Sequence, residues 1–267
     1  MINLEKISGL PIQVTEEYKL KFKPPLGDFP MTFARKFSEM VPVLMDPTIK
    51  APIEITYPVY RGIHLPEHNE IVTSNHLTYD ITIPAPVMLG REFNKTAGHY
   101  HANKPGLKIA HPEMYEILLG QCLFLLQKMD EDFKEVLDVI AVEAGTGDKI
   151  IYPPNYGHIL INLGSDALVT ANWLSTDYKP LYQPVADYHG MAYYVVASKD
   201  KKYELVPNSH YHNVPPVRTI NKKAYESFPI VSDEPMYTKG MRNPKLLEFL
   251  SFPEKYQKEF AGLTSRP

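Results

Sequence analysis

Between about Pro52 and Ala197 the chain is built from short apolar runs, many β-branched or aromatic, separated by Pro, Gly, Asn and Asp. These runs predict strands at Ile53–Tyr57, Leu77–Ile83, Glu113–Leu119, Gln121–Met129 and Val136–Val142. Further strands are predicted at Lys149–Tyr152, Ile159–Leu163, Ala167–Leu174 and Ala192–Ala197. The breaks recur at the intervals of a sandwich or barrel, so the middle of the chain reads as an all-β domain. The residues before about 50 are irregular and proline-spaced. One helix is predicted there, over Thr32–Met40, with Phe33, Phe37 and Met40 on one face. After about Val206 proline returns. A short helix opened by Asn243-Pro244 is predicted, then a second behind a capping box, Ser251-Phe-Pro-Glu254. The chain thus divides into an N-terminal arm (1–50), a β domain (51–206) and a C-terminal extension (207–267). The flanking pieces are expected to wrap the domain or to mediate association.

Composition narrows the classes. The 267 residues, 44% hydrophobic and 22% charged, suit one generous soluble domain. With 28 basic against 31 acidic residues, a strongly basic nucleic-acid surface is excluded. The 25 prolines, about twice the usual share, argue against a helical bundle. The longest apolar stretch, Cys122–Leu126, is too short to span a membrane. The N-terminus does not read as a signal peptide, so a cytoplasmic location is expected. The single cysteine, Cys122, excludes internal disulfides, thiolate zinc sites and CxxC redox chemistry. Any metal would be held by His and carboxylate, and there are 10 histidines.

The chemistry concentrates in Thr96-Ala-Gly-His-Tyr-His101. On a strand, residues two apart share a face, so His99 and His101 point into one cavity. Glu113-Met-Tyr115 follows, then Gly120 closing that strand. A second block runs from Gly147 through Pro153-Pro154 to His158 and Asn162. Two imidazoles from one strand, a carboxylate from the next and an imidazole from a later hairpin form a three-His, one-Glu set. Such nitrogen and oxygen donors suit Fe(II), Mn(II), Ni(II) or Zn(II) and leave positions open. The chain supplies its own control in Ser209-His-Tyr-His212, a second HxH that lacks the downstream Glu and Gly and reads as a surface turn. In His64-Leu-Pro-Glu-His68 the spacing is helical, but Pro66 argues against a regular helix. Tyr156 reads equally as a core aromatic or a substrate contact.

These two blocks resemble the two cupin motifs. From roughly Ile55 to Tyr194 the chain resembles the archaeal-type, cupin-fold glucose-6-phosphate isomerases. The likeness rests on Thr-x-Gly-His-x-His at Thr96–His101, Glu-x-Tyr at Glu113–Tyr115 and Tyr-x-Pro-x-Tyr-x-His at Tyr152–His158, with Thr82 fourteen residues before Thr96. The resemblance implies a cupin barrel whose metal ligands are His99, His101, Glu113 and His158. It implies one divalent ion per subunit, Fe(II) foremost, with Mn(II), Ni(II) or Zn(II) as the other fits. Glu113, Tyr115 and His158 would be the catalytic group. Thr82, Thr96 and Gly98 would meet a small-molecule sugar phosphate, with Tyr115 and Tyr60 lining the sugar. The reaction implied is interconversion of glucose 6-phosphate and fructose 6-phosphate, by an enediol with Glu113 as base or by hydride shift. The competing readings are an iron-dependent cupin dioxygenase and a non-catalytic sugar- or metal-binding cupin. The pattern departs from the family in two places. The His101–Glu113 loop is longer and carries Lys104, Lys108 and His111, and Leu174 and Pro180 stand near the positions of the family's phosphate-contacting Tyr and His. Lys104, Lys108 or Lys179 is expected to supply the missing positive charge. The expected partners are the sugar phosphate and a second copy in a homodimer, with no nucleic acid and no membrane.

Overall fold

Alternation of side chains along paired strands builds two facing sheets. The computed structural model describes residues 1–220 and 222–265. We number the strands of the two main sheets β1 (Phe33–Lys36), β2 (Ile55–Tyr60), β3 (Leu77–Thr82), β4 (Glu113–Leu119) and β5 (Gln121–Met129). They continue as β6 (Val136–Gly145), β7 (Lys149–Tyr152), β8 (Tyr156–Asn162), β9 (Val169–Ser175) and β10 (Arg218–Thr219). The six-stranded sheet has the order β7-β4-β9-β3-β2-β1, and the four-stranded sheet β8-β5-β6-β10. All neighbours are antiparallel except β6 and β10. This is a cupin barrel, with two antiparallel sheets closed over one interior.

β5 explains why its sequence is apolar without alternation. Phe124 and Leu126 pack with Leu160 and with Tyr115 and Ile117 of the facing sheet. Leu123 and Leu125 pack outward, with Ile159 and Ile161, under Met40, Val185 and Met191. A strand covered on both faces has no polar side to display. Cys122 is buried beside them as a small core residue.

The six-stranded sheet behaves differently. Its outer face carries Tyr79 and Ile81 on β3 and Ala171 and Trp173 on β9, all buried. Over it lies a helix, Met236–Arg242, whose Tyr237 ring stacks on Trp173 at 5.8 Å with the planes 9° apart. Ile12 and Leu20, from a three-stranded sheet at the N-terminus, and Leu10 just before its second strand join the same cluster as Met236, Phe249 and Leu250. The two ends of the chain therefore cover one outer face together. Lys149 and Glu116 fasten the C-terminal segment to the sheet. Lys149 Nζ is 2.7 Å from Glu116 Oε1 and donates to Ser232 O at 2.7 Å, while Glu116 Oε2 accepts the Met236 N–H at 3.0 Å.

Several expectations require correction. The Thr32–Met40 helix is a strand, β1, followed by a single turn at Phe37–Met40. Phe33 and Arg35 pair with Val59 and Tyr57, and this sheet pairing outweighs the local 3.6-residue period. The capping box does not form: Ser251 Oγ donates to Asn75 O, Glu254 pairs with Lys104, and the last helix starts at Gln257. Pro244 does open a helical turn, and a helix at Met236–Arg242, outside the two predicted ones, precedes it.

The Glu116–Lys149 pair yields a prediction. Both side chains are about 2% exposed, so removing one strands the other charge in the core. Lys149→Met is expected to lower stability by about 3–5 kcal/mol, and Lys149→Met with Glu116→Leu to recover most of it. Chemical denaturation of the two variants measures both.

Candidate metal centre and substrate cavity

His99 and His158 face each other across an isolated antiparallel bridge in which each N–H donates to the other's carbonyl, at 3.3 and 3.0 Å. Two residues so bonded project their side chains to the same side. Their rings lie 4.4 Å apart. The residue before each is glycine. A Cβ on Gly98 would meet Ile159 Cγ2 at 2.4 Å, and one on Gly157 would meet the Tyr100 ring at 2.5 Å. Gly98 also has φ +79°, a conformation that a side chain strains. His101, two residues on, shares the side of His99, and its short strand pairs with Pro180–Leu181. Glu113 enters from β4 of the facing sheet.

The four ligand atoms of His99, His101, Glu113 and His158 lie within 4.8 Å of one another. Glu113 Oε2 is 3.3 Å from His158 Nε2 and 3.6 Å from His101 Nε2, and the two Nε2 atoms of His99 and His101 are 3.2 Å apart. His101 Nδ1 donates to His111 O at 2.7 Å, which leaves its Nε2 lone pair turned into the cluster. Burial lowers all three imidazoles, His101 to about 4 and His158 to about 3. Burial raises the Glu113 carboxyl, with His101 and then Tyr115 opposing the rise. Three neutral imidazoles and a carboxylate are the protonation state a metal requires. Glu113 Oε2 and His158 Nε2 are buried and have no hydrogen-bond partner. Buried polar atoms without partners are rare, and a divalent cation would satisfy both together. The residues fit such an ion.

The cavity beside this cluster is lined by the inner face of the six-stranded sheet. Register sets its chemistry in rows: Tyr115 stands opposite Asn172, and Asn172 opposite Asp80. Thr82 pairs with Val59, and Tyr57 and Arg61 follow the same phase on either side of Val59. Thr96, Gly98, Tyr178 and Tyr182 also line the cavity, with Phe33, Ala97 and Leu174. Of the sequence-predicted substrate residues, Thr82, Thr96, Gly98 and Tyr115 border the cavity. Tyr60 does not: it points to the outer face, where its hydroxyl accepts the Leu20 N–H at 3.1 Å. Tyr156 is also elsewhere, donating to Asp138 at 2.7 Å.

The expected lysines are not at the cavity. Lys104 bonds Ser251 O and Glu254, Lys108 pairs with Glu131, and Lys179 is exposed. Leu174 does line the cavity, whereas Pro180 pairs with His101 in the ladder. The cationic side chain in the lining is instead Arg61, whose Nη1 donates to the Tyr178 hydroxyl at 2.7 Å and lies 3.4 Å from Asp80 Oδ2. Asp80 also accepts from Gly62 N and Thr78 Oγ1 at 3.0 and 2.7 Å. Arg61, Asp80 and Asn172 were not selected from the sequence. Counting back two residues from Thr82 finds Asp80, and the period-2 rule was the available signal. The second HxH, at His210 and His212, lies in a bend outside the cluster, the His210 ring against His189 at 4.4 Å.

Fold and site together define a cupin barrel with a three-His, one-Glu centre that fits a divalent metal. The chain belongs to the glucose-6-phosphate isomerase (GPI) family, whose model matches residues 34–213. A glucose-6-phosphate isomerase of Pyrococcus furiosus is 30% identical over 137 residues, 51% of this chain and 65% of that protein. One of Thermococcus litoralis is 29% identical over 153 residues, 57% of this chain and 73% of that protein. Among solved structures, a Bacillus subtilis oxalate decarboxylase mutant aligns with TM-score 0.34 at 19% identity, over 49% of this chain and 29% of that one. A hazelnut vicilin aligns with TM-score 0.34 at 8% identity, over 47% and 32%. No helix among the described residues is long and apolar enough to cross a membrane.

If the cluster holds a metal, removing one ligand must weaken binding by more than the ~10–100-fold typical of changes behind a ligand. His158→Ala is expected to lose Mn(II) or Zn(II) affinity by at least that factor in titration calorimetry. An unchanged affinity would exclude His158 from the centre.

Proposed function

We propose that the protein interconverts glucose 6-phosphate and fructose 6-phosphate in a metal-dependent reaction. The observation that carries this reading is the meeting of the three-His, one-Glu cluster with a cavity that also bears hydroxyl, amide and charged side chains, in a chain of the isomerase family. A dioxygenase of an aromatic or thiol substrate would call for an apolar chamber. This one presents Thr82, Thr96, Asn172, Asp80 and Arg61.

In aldose–ketose exchange a hydrogen moves between C1 and C2 while negative charge develops on the two sugar oxygens. A divalent ion held by His99, His101, Glu113 and His158 would supply Lewis acidity to those oxygens, with Fe(II), Mn(II), Ni(II) and Zn(II) all suited to the donor set. Glu113 takes the C2 proton and returns it to C1, while the O2 hydroxyl proton passes to O1. Tyr115, two residues along the same face, stands by the carboxylate and the sugar. His158 holds the geometry from the opposite sheet. Thr82, Thr96 and the backbone at Gly98 meet the phosphate, so binding energy far from the reacting carbons positions them. A hydride shift would leave Glu113 as a ligand only.

The test is a coupled assay of fructose 6-phosphate conversion after EDTA and after re-addition of each metal. Activity is expected to vanish with chelation and return with at least one ion. Absence of conversion with every metal, or metal-dependent oxygen uptake instead, would overturn the reading. Turnover in D2O separates the routes: proton transfer through Glu113 places solvent deuterium at C2 of glucose 6-phosphate, and a hydride shift places none.

A further inference from the structure

Seven planar side chains form a closed collar around the cavity. His99 lies against Tyr182 at 5.1 Å, and the Arg35 guanidinium lies over Tyr182 at 5.3 Å. Arg35 is 5.5 Å from the Phe33 ring, and Arg61 is 5.6 Å from that same ring. Arg61 lies 5.8 Å over Tyr178, Tyr178 is 4.9 Å from His101, and His101 is 5.1 Å from His99. The two histidines occupy one side of this ring and the two arginines, with Phe33 between them, the other.

We propose that Arg61 and Arg35 form the receptor for the substrate's phosphate dianion, with Arg61 making the direct contact and Arg35 reinforcing the charge. The proposal rests on the sugar-phosphate reading above. A dianion entering a partly dehydrated cavity needs cations and N–H donors together, and a guanidinium offers both in a planar fork. Arg61 is the one Lys or Arg in the lining. Asp80 and Tyr178 hold it through Nη1, while Nε and Nη2 form no hydrogen bond among the described residues. Arg35 stands behind the lining residues Phe33, Tyr57 and Tyr182. Its Nε donates to the Tyr57 hydroxyl at 3.2 Å, and that same hydroxyl accepts the Ala97 N–H at 3.1 Å. Arg35 is thereby coupled to the Thr96–Gly98 segment. Its acidic partner, Glu39, is 3.2 Å away with a side chain about half exposed, so solvent screens that carboxylate more than the cavity screens Arg35. The collar therefore sets charge at one rim and the metal ligands at the other, which orients a sugar phosphate with C1 and C2 toward the histidines.

The experiment measures binding of inorganic phosphate, fructose 6-phosphate and unphosphorylated fructose by calorimetry, alongside KM and kcat. Arg61→Met is expected to weaken both phosphate-bearing ligands on the order of 10- to 100-fold, the range of a lost hydrogen bond to a charged group. Arg61→Lys should recover part of this. Arg35→Met should show a smaller loss in the same direction, and fructose affinity should not move in any variant. Because Arg61→Met leaves Asp80 without its cation, circular dichroism checks its fold, and Arg61→Lys with Arg35→Met decide the matter if it fails. Unchanged phosphate affinity in Arg61→Lys and Arg35→Met, or no phosphate binding by the native protein, would overturn the receptor. A native protein that binds phosphate through these arginines yet never isomerises fructose 6-phosphate would overturn the isomerase reading and leave the receptor standing.

Discussion

The site depends on one short stretch of backbone, the reciprocal pair of hydrogen bonds between His99 and His158. An antiparallel bridge of this kind fixes the separation and common direction of two side chains without help from the side chains themselves. Its formation requires close approach of two segments, and glycine at 98 and at 157 removes the atoms that would obstruct it. Once the bridge exists, His101 follows by alternation and only Glu113 must be delivered from elsewhere. The facing sheet delivers it at the first residue of β4, where the strand pairs with Tyr152 on one side and Leu174 on the other. Side chains carried on paired strands cannot drift independently, which is how the cluster is held in its geometry.

A polar interior weakens a barrel, and the molecule compensates on the other side of the same sheet. Each inward polar residue of β3 and β9 has an apolar neighbour pointing outward: Asp80 between Tyr79 and Ile81, Asn172 between Ala171 and Trp173. Those outward residues are fully buried only because Tyr237, Leu250 and the N-terminal strands lie over them. The flanking segments thus supply the apolar area that the interior gives up to chemistry. The same trade explains Glu116 and Lys149. They interrupt the outer apolar layer with a paired charge, and the pair is bonded to Ser232 and Met236 of the covering segment. Such a pair adds little net stability over a well-packed apolar one, but losing either partner alone is costly.

What the sequence disclosed follows from range. β4, β5 and β7 match their expected boundaries because each is a run of apolar residues closed by a turn, a signal within ten residues. The metal-type cluster was legible because HxH, Glu and a later His are rare in that order, and they converge as expected. Tyr60 failed by one residue of phase. On β2 it is Tyr57 and Val59 that face the cavity, and a period of two turns an error of one into the opposite face. Arg61 and Arg35 were hidden for another reason. Neither belongs to a motif, and their meaning comes from a collar whose members span Phe33 to Tyr182. Lys104 and Lys108 stand in the loop between two residues of the cluster, but Lys104 is tied to Ser251 and Glu254, and Lys108 lies in solvent beside Glu131.

The loop between His101 and Glu113 is tied down by the end of the chain. The His111 carbonyl receives the His101 Nδ1 proton, and the His111 ring in turn bonds Leu250 O at 2.9 Å. Lys104, from the same loop, donates to Ser251 O at 2.8 Å and pairs with Glu254. Asn155, in the turn before β8, accepts the Ala110 N–H and donates to Lys108 O. The loop is thereby fixed at both ends, by the turn that precedes His158 and by a segment beyond the residues 34–213 that match the family. A carbonyl can set a histidine's tautomer and ring orientation only if it is itself immobile. In this chain part of that immobility comes from the C-terminal extension, so the geometry of His101, within the family core, is determined partly by residues outside it.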